Sequence, residues 1–138
     1  MTAKEFLYTI RDEKSEIEEI QDRISSIRAS LLPKGIRYDT PRVQTSPADS
    51  MADKMNQVIE YEKMLEERVK ELCKKRVKAQ RMIDALEDTK ERQVLNLYFL
   101  SERRLRMQEV SEQIGYSESR TYDIYNAALG HLPDIEET

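Results

Sequence analysis

The chain divides by its apolar periodicity before any single residue stands out. From residue 2 to residue 31 there is no proline or glycine, and Ala3, Phe6, Ile10, Ile17, Ile20, Ile24, Ile27 and Leu31 recur by threes and fours, with Glu13 in the one polar gap. Such a heptad seam predicts one long helix of the coiled-coil kind. Residues 32–49, carrying Pro33, Gly35, Pro41 and Pro47, interrupt the pattern and predict a mobile loop. At its end Ser46-Pro47-Ala48-Asp49 has the form of a helix start, with serine as cap and proline in the first position. A second long helix to about Glu87 follows from Met51, Met55, Val58, Leu65, Val69, Leu72, Ala79, Ile83 and Leu86, with Glu62 and Arg76 as polar members. Folding the two helices antiparallel with Leu31 opposite Val58 sets Ile24 against Leu65, Ile20 against Val69, Glu13 against Arg76 and Phe6 against Ile83. A charge pair in that seam would fix register, because a slip strands a charge in the core. Ile59, Tyr61, Met64 and Val77 fall off the seam. Covering them calls for a partner, and a homodimer forming a four-helix bundle is the expected solution.

The pattern changes at residue 88. Asp88-Thr89-Lys90-Glu91 is a capping sequence that starts a fresh helix, and Val94, Leu95, Tyr98 and Phe99 give that helix an apolar side reaching about Leu100. Arg103, Arg104 and Arg106 lie in the following loop. From Met107 to Leu132 the spacing is that of two helices joined by a tight turn. Val110 and Ile114 share one face, Ser111 is small enough for a close helix crossing, and Gly115 can end the first helix in the left-handed conformation. Ser117 can cap the second helix, which carries Thr121, Ile124, Tyr125, Ala128 and Leu129 as its buried stripe. This is the pattern of a helix-turn-helix. The fold class expected is therefore all-α: an antiparallel helical hairpin over 1–87, a small helix-turn-helix domain over 88–132, and a disordered acidic tail over 133–138.

Composition supports long helices. Charged residues make up 36% of the chain and aromatics 7%, with three glycines and no tryptophan. The net charge of −4 does not mark a nucleic-acid binder, and residues 89–132 hold 6 basic and 6 acidic groups. The basic run from Arg68 to Arg81 would suit phosphates, but matching against the acidic run Glu13–Asp22 or a second subunit explains it more simply. No apolar stretch is long enough for a signal peptide or a membrane span, so a cytoplasmic protein that does not enter a membrane is expected. Cys73 is alone, which excludes a disulfide framework, and beside Leu72 it reads as a small buried hydrophobe. His131 is the only histidine, and there is no glycine-rich phosphate loop, nucleophile with a base, or metal-ligand spacing. The expectation is a protein that is not an enzyme and needs no cofactor or metal.

The stretches ALEDTKERQVLNLYFL and MQEVSEQIGYSESRTYDIYNAALGHL resemble region four of the primary bacterial sigma factors. They look closer still to a family of small phage and prophage proteins from Gram-positive bacteria. That family joins a sigma-region-four-like helix-turn-helix to an N-terminal helical hairpin, and is usually labelled as of unknown function or as a phage transcriptional regulator. Met1–Arg11, the SPADSMADKMNQVIEYE stretch and the Ala85–Arg92 junction also sit where the family has them. The resemblance implies binding to double-stranded DNA near promoters, alone or with RNA polymerase, to switch phage or mobile-element genes. It implies that Ser117 caps the recognition helix and that Glu118, Ser119, Arg120, Tyr122, Asp123 and Asn126 face the major groove. By their chemistry, Arg120 suits a bidentate contact to guanine, Asn126 a base or phosphate, and Arg103, Arg104 and Arg106 the phosphates. The near-neutral charge of 89–132 keeps a second expectation open: a protein-interaction module that grips RNA polymerase or another host protein without binding DNA.

Overall fold

A computed structural model describes residues 1–31 and 47–135. Among them there are five α-helices and no strand: α1 (Ala3–Leu31), α2 (Pro47–Asp84), α3 (Thr89–Phe99), α4 (Met107–Ile114) and α5 (Glu118–His131). The all-α class is as expected. Of the mobile loop expected at 32–49, residues 32–46, with the Ser46 cap, lie outside the described residues, as do 136–138, while 47–49 begin α2. Two compact units divide the chain, Ser15–Lys70 and Met1–Lys14 with Glu71–Thr138.

In the Ser15–Lys70 unit the core is small. Ile20, Ile24 and Val58 are buried together, with Ile27, Tyr61 and Leu65 packed against them. Arg28 pairs with Glu62 and Arg68 with Glu16 at the exposed margin, where ion pairs contribute little stability. The seam residues Met51, Met55 and Val69, expected inside, are 52%, 47% and 39% exposed. Ile59 and Met64 are exposed as their off-seam positions imply.

The other unit is built around α3, α4 and α5. Leu7 and Ile10 of α1, Ile83 of α2, Val94 and Leu95 of α3, and Val110 of α4 are its largest fully buried apolar side chains. Leu7 and Arg11 were not on the predicted seam of α1, yet both are buried. Arg11 donates to the carbonyls of Tyr98 (3.4 Å) and Leu105 (2.7 Å), and its guanidinium lies 3.8 Å from the centre of the Tyr98 ring. Lys14 donates to the Ser101 carbonyl and Arg76 to that of Leu100, the latter at 2.7 Å. Residues 101–106 contain no glycine. Three cations from the long helices instead satisfy the carbonyls at and beyond the C-terminus of α3, where the helix dipole also favours positive charge.

Two expectations are corrected here. Glu13 pairs with Lys75 and not with Arg76, because Arg76 reaches the Leu100 carbonyl. Cys73 is exposed, because it stands one residue past buried Leu72 and therefore about 100° round the helix. Of the basic run, Arg68 and Lys75 pair with Glu16 and Glu13 of the acidic run, whereas Lys70 and Lys74 pair with Glu66 and Glu71 of α2 itself.

The α2–α3 break follows its capping sequence. α2 stops at Asp84, three residues short of the expected end, and the Asp88 carboxylate accepts from the amides of Lys90 (2.7 Å) and Glu91 (3.2 Å). Arg92 reaches back to the carbonyls of Leu86 and Glu87 and holds the corner. Ile135 exchanges backbone hydrogen bonds with Met1, at 2.9 and 3.4 Å. Among the described residues no helix is long and apolar enough to cross a membrane.

Candidate nucleic-acid interface

The α4–α5 connection is assembled from local chemistry. Gly115 has φ 79°, the left-handed conformation, and the amides of Gly115 and Tyr116 both donate to the Ser111 carbonyl, at 3.0 and 3.1 Å. Ser117 then caps α5, its hydroxyl accepting from the Arg120 amide at 3.2 Å. Thr121 is fully buried, and its hydroxyl is satisfied by the Ser117 carbonyl at 2.8 Å. Thr121, Tyr125 and Ala128 form the buried stripe of α5, with Ile124 and Leu129 at its half-buried edge. Glu118, Ser119, Arg120, Tyr122, Asp123 and Asn126 are all exposed on the remaining surface.

The three loop arginines are exposed as well, and two of them converge. Arg103 and Arg106 both pair with Glu109, whose carboxylate also accepts from the Arg106 amide at 3.3 Å. The backbone amide of Arg106 is the main cause that holds the Glu109 carboxyl below its usual range; desolvation opposes it, and the guanidinium groups of Arg103 and Arg106 add to the lowering. Arg104 is exposed. Arg120 lies beside the Tyr116 ring, 5.3 Å from its centre, and Lys90 approaches the same ring at 5.1 Å. Two cations, one from α3 and one from α5, thus meet one aromatic ring at the turn.

Under the exposed face of α5 lies an aromatic cluster that the periodicity did not reveal. The hydroxyl of Tyr8 is 2.7 Å from that of Tyr125 and 3.3 Å from that of Tyr98. Phe99 packs against all three rings at 4.8–6.2 Å. Burial is the main cause that pushes all three phenols above their ordinary value. Tyr98 and Tyr125 were legible as apolar-face residues, but nothing in a one-dimensional pattern joins Tyr8 to them. The same holds for His131, whose Nδ1 lies 2.8 Å from the buried carboxylate of Glu91 and ties the end of α5 to the start of α3. Among the described residues no group of three histidine, cysteine or carboxylate side chains could hold a metal ion.

A family model described as "Protein of unknown function (DUF1492)" matches residues 35–133. The chain belongs to that family. The DUF1492 match takes in α2 to α5, and with them Lys90, Tyr116, the loop arginines and the whole exposed face of α5. No curated protein and no solved structure matches the chain.

Proposed function

We propose that this DUF1492 protein is a DNA-binding transcriptional regulator of a phage or other mobile element, acting in the cytoplasm. On this reading α4 and α5 are a sigma-region-four-like helix-turn-helix, with α5 entering the major groove and Arg103, Arg104 and Arg106 meeting phosphates. The observation that carries it is the α4–α5 geometry: a left-handed glycine, a serine cap, one buried stripe and an outward face made of side chains that can read base edges. The phage context rests on the resemblance of the sequence alone. α1 and α2 form an antiparallel hairpin, which the Arg28–Glu62 and Glu16–Arg68 pairs support. Dimerisation through this hairpin would cover the exposed Met51, Met55 and Ile59, which follow one another four residues apart on α2.

Selection from a random duplex pool across a salt series tests the proposal. A common site, enriched with two-fold symmetry and bound less tightly as salt rises, is the expected result. Failure to bind any duplex at low salt overturns it. A second reading has one observation in its favour: Glu109 already occupies Arg103 and Arg106, and Glu118 and Asp123 add negative charge to the outward face of α5. In that case the same surface is a protein-interaction module for RNA polymerase or another host factor. Retention of purified polymerase by the chain, with no duplex binding, selects it.

A further inference from the structure

We infer that Tyr122 is the residue with which α5 recognises the 5-methyl group of thymine, an assignment that rests on the DNA-binding reading above. Tyr122 is 45% exposed, while the residues one turn to either side, Ser119 and Asn126, and the adjacent Asp123 are hydrogen-bonding types. Its ring is therefore the apolar element of an otherwise polar reading surface. In the major groove the one apolar group that a base edge presents is the thymine methyl, whereas the other edge groups are donors and acceptors.

The ring is also held in place. It stands edge-on to Tyr125, with centroids 6.3 Å apart and planes at 90°. Tyr125 is 5% exposed, is tied through its hydroxyl to Tyr8 at 2.7 Å, and lies 5.5 Å from Tyr98 and 6.2 Å from Phe99. A ring resting on a fixed aromatic base gives up little rotamer freedom when it meets a ligand, so contact area converts to affinity with little ordering cost. The carboxylate of Asp123 next to it can accept from a cytosine amino group, and Asn126 can make a bidentate contact to adenine. Together these side chains favour a site in which a thymine lies beside a base pair read by hydrogen bonds.

The test replaces each thymine of the selected duplex, one at a time, with deoxyuridine. This removes one methyl group and leaves every hydrogen-bonding edge unchanged. At one position in each half-site the wild-type chain should lose affinity about fourfold, the effect of one buried methyl. Tyr122→Ala should bind thymine and uracil equally at that position and retain its preferences elsewhere, while Tyr122→Phe should behave as wild type. Because Tyr122 is exposed, neither change should alter the circular dichroism spectrum. A selected site indifferent to uracil at every position overturns the assignment, as does an undiminished methyl effect in Tyr122→Ala. A wild-type chain that binds no duplex at all overturns this assignment and the DNA-binding reading together.

Discussion

Glu109 receives a backbone amide and two guanidinium groups on one carboxylate, so its protonation should be visible in stability. Its carboxyl is held below the ordinary range, and the sign follows from linkage. The contribution is complete above the unfolded value, about pH 4.3, and is lost as pH falls through the lower folded one. Glu109→Gln keeps a side chain that can accept the Arg106 amide but cannot titrate. The melting temperature of wild type should exceed that of the variant at pH 7, and the gap should close as pH falls below the ordinary carboxyl range. A gap independent of pH would show that the carboxylate charge does not matter. The tyrosine cluster titrates at the opposite end. Tyr8, Tyr98 and Tyr125 are pushed up, chiefly by burial, so a later phase of tyrosinate absorbance, above the ordinary phenol value, should contain these three. The folded state binds those protons more tightly, so stability holds below the ordinary phenol value and falls as pH rises through the raised ones. Tyr125→Phe removes the 2.7 Å bond to Tyr8 and should cost about 1 kcal/mol in denaturant unfolding, with fewer phenols in the later phase.

Caps and turns are the elements that the sequence announced best. Asp88, Gly115 and Ser117 each occupy the position their chemistry suggests, because a cap is satisfied by amides two or three residues away. The apolar stripes of α4 and α5 were equally legible, since 3.6-residue periodicity is local. What joins elements was not. Arg11 reads in one dimension as a surface cation on a coiled coil, yet it is buried against Tyr98 and the Leu105 carbonyl. On the candidate interface the exposure of the α5 face was foreseen, while Lys90 and Tyr116 were not, because their proximity depends on how α3 meets the turn. Two substitutions separate these kinds of information. Gly115→Ala meets open space, so its cost is the left-handed backbone alone, about 1 kcal/mol. Arg11→Met keeps the stem but leaves two carbonyls without their donor, and should cost about 2–4 kcal/mol in the same measurement. Equal losses would mean that Arg11 is solvated and not part of the core.

At the scale of the whole molecule the question is what the α3–α5 helices need in order to fold. The capping sequence at residue 88 marks an obvious place to cut, and a fragment of residues 88–138 carries the complete α4–α5 turn. Yet the unit to which these helices belong includes Met1–Lys14 and the chain from Glu71 onward. Leu7 and Ile10 come from α1, Ile83 from α2, and each is essentially inaccessible to solvent. Cutting there also takes Tyr8 away from Tyr98, Phe99 and Tyr125, and strips the α3 C-terminus of Arg11, Lys14 and Arg76. A fragment of about fifty residues has little surplus of buried area to offset such losses. The 88–138 fragment should therefore lack dispersed amide resonances and a cooperative thermal transition, both of which the full chain should have. If the fragment instead melts cooperatively, the α1 and α2 contacts merely lean on a self-sufficient domain. If it does not, the outward surface of α5 exists only while the first turns of α1 are in place, and on the proposed DNA-binding reading substitutions at Leu7 or Ile10 should abolish duplex binding as surely as substitutions on α5 itself.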